Sequence, residues 1–249
     1  PQLAGALRKL RIFTPSAEIP FAGHPTIGAA QLLVELGVAA RDENGVANFA
    51  FEEKVGLVPI TVNTATGGAF FTWLTAPRLP EAKPSELSRE ALAALLGLDP
   101  EEILDDVRDA PCGYSAGVPF LFVPLRDRAA LARATLDLAL WREMIAETWA
   151  EDVYLFCHEA EGGGVHVRSR MFAPAMGIMV DPATGSAAAA FAGYLWKRNG
   201  GPGQWIIAQG VEMGRPSTLY VEAAGTDGRL QTVRVGGGAV RVSRGTMTL

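Results

Sequence analysis

From Ala187 to Trp196 the chain reads Ala-Ala-Ala-Ala-Phe-Ala-Gly-Tyr-Leu-Trp, a helix-length run that is apolar on every face. A helix without a polar stripe has to be covered on all sides. The fold must therefore supply a layer that surrounds it, and the small alanines let strands come close. Lys197 and Arg198 suit the negative end of the helix dipole, and Asn199-Gly200-Gly201 stops the helix. Ahead of it stands Asp181-Pro182-Ala183-Thr184-Gly185-Ser186. Pro182 suits a first helical turn, where a missing N–H costs nothing, and this places Asp181 near the N-cap.

Much the same pattern occurs near the start of the chain. Arg11-Ile12-Phe13-Thr14-Pro15 matches Arg170-Met171-Phe172-Ala173-Pro174, and His24-Pro25 matches Asp181-Pro182. Thr26-Ile27-Gly28-Ala29-Ala30 resembles Thr184-Gly185-Ser186-Ala187-Ala188 after a small shift. In the helix that follows His24, Ile27, Ala29, Ala30, Leu32, Leu33, Val34 and Leu36 leave only Gln31 and Glu35 polar, and Gly37 ends it. A strand, a proline turn, a polar-Pro step and an apolar helix, twice in the same order, predict two related halves, each built around one buried helix.

The rest reads mainly as short strands bounded by Gly or Pro: 58–62, 69–75, 120–124, 152–158, 165–172, 205–209, 219–222 and 233–235. Gly162-Gly163-Gly164 reads as a hairpin tip and Gly67-Gly68 as a turn. Helical pieces are expected from Ser88 to Leu96, with Ser88 as the cap, and around 138–148. The expected class is α+β, two pseudo-symmetric halves, each a curved mixed sheet wrapped around a central buried helix. Residues 1–77 form the first half, completed by about 242–249, and residues 78–241 form the second.

Composition narrows the partners. The chain has 249 residues, is 49% hydrophobic and carries a formal net charge of −5. That is enough to bury a sizeable core. The negative charge argues against nucleic acid and anionic membrane as main partners. No run of about eighteen apolar residues suggests a membrane span. Two cysteines, Cys112 and Cys157, make no disulfide framework, and a cytoplasmic setting is expected. Cys157, His158, Glu159 and His166 bracket the glycine-rich turn, but their spacing fits no zinc pattern, so no metal site is expected.

Four stretches carry a family resemblance: 11–30 (RIFTPSAEIPFAGHPTIGAA), 171–190 (MFAPAMGIMVDPATGSAAAA), 115–120 (SAGVPF) and 209–217 (QGVEMGRPS). They resemble the PhzF-like isomerases of phenazine biosynthesis, which have the diaminopimelate epimerase fold. The resemblance implies an active site in a cleft between the halves, a proton shift on a small carboxylate-bearing substrate without cofactor or metal, and a homodimer. It also implies that the two helix starts face one cleft. Their free N–H groups and partial positive charge then make a carboxylate site, with Gly23 and Gly185 admitting the ligand and Ser186 adding a hydroxyl. His24 and Asp181 become a proton-handling pair across the gap.

The family's catalytic glutamate lies in an Asn-Leu-Ser-Glu-like stretch ahead of the first motif, and no such stretch precedes Arg11 here. The chain, which begins Pro1-Gln2-Leu3, is expected to start inside the family's first domain. Glu18 reads as structural, and Val180 stands where the family commonly has glutamate. The alternatives are an anion-binding remnant without catalysis and an amino-acid racemase or epimerase on the same fold. The second would want a cysteine at each helix start, and neither start has one.

Overall fold

The computed structural model describes residues 1–64, 69–158 and 164–246. Gly67-Gly68, Glu159, Gly162-Gly163 and residues 247–249, on which some of the expectations fall, lie outside these described residues.

Three two-residue strands, β1 (Arg8–Lys9), β2 (Ile12–Phe13) and β3 (Glu18–Ile19), precede helix α1 (Gly23–Glu35). The antiparallel strands β4 (Ala47–Glu53), β5 (Gly56–Thr64) and β6 (Phe70–Thr75) follow. Then come β7 (Glu81–Pro84), α2 (Arg89–Leu96), β8 (Cys112–Ser115) and β9 (Pro119–Pro124). Next are α3 (Arg128–Arg133), α4 (Leu138–Met144), β10 (Asp152–Cys157), β11 (Val167–Ala173) and β12 (Ile178–Asp181). The chain closes with α5 (Gly185–Asn199), β13 (Gly203–Gln209), β14 (Ser217–Thr226) and β15 (Arg229–Gly237).

One mixed sheet runs β1-β4-β5-β6-β15-β14-β13-β11-β10-β9-β8-β7, with β12 added on β11. Strand β15 pairs with β6, so the ladder passes without a break from the early strands to the late ones. Period-two patterning sets which way each strand faces. In β5, Val58, Ile60 and Val62 are buried while Leu57 and Pro59 point outward. Helix α2 has the cap its sequence promised: the Ser88 hydroxyl accepts the Ala91 N–H at 3.2 Å, and Gly97 closes it at positive φ.

Helix α5 is buried from Gly185 through Leu195, as its composition requires, and packs on β8, β9, β14 and β15. Phe191 stacks on Phe122 with centroids 5.3 Å apart and meets Phe156 at 4.6 Å. Helix α1 packs on β5, β6 and β15 but keeps an open face bearing His24, Leu32 and Leu36. Its Gln31, one of the two polar residues in the helix, is buried. It donates to the carbonyls of Phe70 and Gly237 and accepts the Ala239 N–H.

The buried apolar side chains around α1 and α5 form one cluster, from Phe21 and Val34 to Phe191 and Val235. A second cluster lies between α2–α4 and the strands β9 to β11, where Val180 packs against it. No described helix is long and apolar enough to cross a membrane.

Candidate active site

The first turns of α1 and α5 touch. A Cβ placed on Gly23 would lie 2.4 Å from the Gly185 Cα, and one on Gly185 would lie 2.6 Å from the Gly23 Cα. Real Cβ atoms do not come that close, so only glycine at both positions lets the helix starts converge. The sequence reading gave these glycines to ligand access; in the fold their missing side chains first make room for each other's backbone.

Neither helix start is closed by a side-chain cap. The N-cap residues are Ala22 for α1 and Thr184 for α5; neither side chain caps the helix, and neither first turn holds an acid. Helices α2, α3 and α4 differ, each capped by its own side chain: Ser88, Asp127 or Asp137. Two bare, converging N-termini concentrate orphan donors and positive dipole ends in one place. That is the arrangement that binds a carboxylate or another anion.

Pro182 lies outside the helix, contrary to its expected place in the first turn, and Asp181 ends β12 rather than capping α5. The cause is a hydrogen-bonded turn across 181–184. Thr184 Oγ1 donates to Asp181 Oδ2 at 2.6 Å. The buried Gln209 amide donates to the Asp181 carbonyl (2.7 Å) and to Thr184 Oγ1 (2.9 Å), and accepts the Thr184 N–H (3.2 Å). Beneath the turn, a Cβ on Gly210 would lie 2.8 Å from the Pro182 carbonyl oxygen. Gln209 thus fixes the turn whose Thr184 hydroxyl holds the Asp181 carboxylate, a role with no local sequence signal.

His24, the second residue of α1, is exposed, and its Nδ1 lies 2.9 Å from the Ala183 carbonyl oxygen. A carbonyl can only accept, so Nδ1 carries the hydrogen. In the neutral ring Nε2 then holds the lone pair and is free to take a proton. His24 and Asp181 are therefore tied to the same four-residue turn. Ser186 is buried in the first turn of α5.

The remaining candidates lie apart from this site. Glu18 makes a two-pronged pair with Arg11 at 3.0 Å in each arm. The Cys112 thiol donates to the Lys83 carbonyl, and Cys157 sits in the second core. His158 pairs with Asp109 at 2.9 Å, and His166 Nδ1 accepts the Ile206 N–H. The turn at Ser115-Ala116-Gly117 approaches the link between β4 and β5: a Cβ on Gly117 would meet Val55 at 3.1 Å.

A family model described as phenazine biosynthesis-like protein matches residues 3–245. The chain belongs to this family. Over 96% of its length it is 40% identical to an uncharacterized isomerase of Mesorhizobium japonicum, of which it covers 79%. Over 98% of its length it is 36% identical to a trans-2,3-dihydro-3-hydroxyanthranilate isomerase of Pseudomonas aeruginosa, of which it covers 80%. The crystal structure of a PhzF-family phenazine biosynthesis protein from Bacillus anthracis superposes with a TM-score of 0.81 at 24% identity, covering 94% of this chain and 78% of that one. For this phenazine biosynthesis-like chain the fold class expected from the paired helices therefore holds.

Proposed function

We propose that the chain is a PhzF-family isomerase that shifts a proton within a small carboxylate-bearing substrate at the converging starts of α1 and α5, using no cofactor. One observation carries this reading: two uncapped helix N-termini meet at Gly23 and Gly185, with His24 and Asp181 bound to one turn between them. The N–H groups of both first turns hold the substrate carboxylate, and Ser186 supports it. His24, kept in one tautomer by the Ala183 carbonyl, takes the proton from carbon at Nε2 and returns it to another carbon. Asp181 stabilises the imidazolium that forms in between. Because one group removes and returns the proton, no pair of cysteines is needed.

The test uses trans-2,3-dihydro-3-hydroxyanthranilate, the compound named for the Pseudomonas aeruginosa relative. In heavy water the product should gain solvent deuterium at carbon. His24→Ala and Asp181→Asn should each lower turnover by about 100-fold or more while the melting curve stays cooperative. Full activity in either variant would remove that residue from the mechanism.

A further inference from the structure

Glu53 ends β4 directly beneath the first turn of α1 and is 3% exposed. Its Oε1 lies 2.5 Å from Thr26 Oγ1, and the same Oγ1 lies 2.7 Å from the carbonyl oxygen of Ala22, the N-cap residue of α1. The threonine hydroxyl has a single hydrogen for these two contacts. The carbonyl can supply none. Both contacts are satisfied only if Thr26 donates to Ala22 and Glu53 donates to Thr26, which makes Glu53 a carboxylic acid rather than a carboxylate.

The surroundings agree. Glu53 Oε2 is buried with no hydrogen-bond partner among the described residues, a costly position for a charged oxygen. The residue opposite on β5 is Gly56, which brings no side chain. On β4 itself, Glu52 is occupied by the N–H groups of Gln2 and Leu3 and by Lys9. Next along the chain, Lys54 is exposed. On α1, the His24 ring is engaged at Ala183. Burial pushes the Glu53 carboxyl up to about 7.

We propose that Glu53 is a positioning residue of the anion site, held as a neutral acid so that the start of α1 keeps its positive end for the substrate carboxylate. This rests on the anion-binding reading of the helix starts given above. When Glu53 ionises, it places a buried negative charge under the same turn that must hold the ligand's negative charge. Like charges at this range weaken binding by about tenfold or more. The effect is read on KM, through the substrate carboxylate held at that turn.

Two measurements decide it. In the first, kcat and KM for trans-2,3-dihydro-3-hydroxyanthranilate are followed from about pH 6 to about pH 9. The wild-type KM should rise by about tenfold with kcat following its own profile, and Glu53→Gln should hold KM flat, its amide replacing the acid as donor to Thr26. A Glu53→Gln KM that climbs in step with the wild type overturns the proposal. The second needs neither turnover nor a variant. Infrared spectra of the wild-type protein labelled with ¹³C-glutamate should show a carboxylic-acid C=O band near pH 6 that is gone by about pH 9. Absence of that band near pH 6 overturns the neutral acid even if the compound is a substrate. If the compound is not turned over, the assignment of substrate fails, and the band by itself upholds or overturns the protonated Glu53.

Discussion

Asp152, at the start of β10, is another buried acid whose proton the fold binds more tightly than the unfolded chain does. It is 4% exposed, and its one hydrogen-bond partner among the described residues is the Ala175 N–H, which Oδ1 accepts at 3.2 Å. Burial pushes its carboxyl up to about 7; the Ala175 bond works against the rise and the neighbouring Glu151 charge adds to it. An acid whose folded pKa exceeds its unfolded one binds its proton more tightly in the native state. Stability is then fully present below about pH 4 and declines as pH rises toward 7, because the unfolded chain gives up the proton first. A rise of about three units corresponds to about 4 kcal/mol at most. Asp152→Asn keeps an acceptor for Ala175 and removes the titration. It should melt higher than the wild type at about pH 8 and at nearly the same temperature at about pH 4. Equal differences at both pH values would mean that Asp152 is ionised in the fold.

At the scale of elements, the glycines of the two central helices divide by what surrounds them. Nothing lies within 4 Å of a Cβ added to Gly28, in the middle of α1. Gly28→Ala should therefore stabilise by about 0.5–1 kcal/mol, the helix-interior cost of glycine. Gly185→Ala instead drives a methyl into the Gly23 backbone, which no rotamer can relieve. It should cost about 1–3 kcal/mol and raise KM by parting the helix starts. Thermal melts of the two variants side by side check the opposite signs. Helix α5 was legible in the sequence because its burial is written in its own residues and Gly200 ends it at positive φ. The turn before it was not. Whether Pro182 enters the helix depends on Gln209, 25 residues beyond Thr184, whose amide holds 181–184 in a different shape. The burial of Gln31 has the same origin, since its partner Gly237 is 206 residues away. Strand β4 was missed although Phe49 and Phe51 alternate in it, and the two-residue strands β1 to β3 are set by pairing with distant partners or across a turn. His24 and Asp181 were visible as a matched pair. The acid beneath them was not, because Glu53 stands beside Glu52 in a charged run and only its contact with Thr26 separates the two.

For the whole molecule, the repeated pattern in the sequence predicts two related halves, and the packing ties the early strands to the late ones. The β6–β15 ladder carries the sheet from one side to the other through Leu74 opposite Val235 and Trp73 opposite Gly236. A Cβ on Gly236 would lie 2.7 Å from the Trp73 ring and 2.8 Å from Phe71. The bare glycine backbone is what leaves room for both rings at the junction. Phe71 goes on to meet Tyr220 of β14 edge-on at 5.0 Å, and Arg234 covers Trp73 at 4.7 Å. The helix starts touch, and one apolar cluster contains side chains from early and late strands. Opening either half alone would expose β6 or β15 as an unpaired edge and uncover half of a shared core. Unfolding should therefore be a single transition whose calorimetric and van't Hoff enthalpies agree. Gly236→Val, which forces the aromatic pair off the junction, should lower the midpoint of that one transition by several degrees for about 1–3 kcal/mol lost. Two resolved heat-absorption peaks, in the wild type or in this variant, would mean that the halves are stable separately and that the ladder merely docks them.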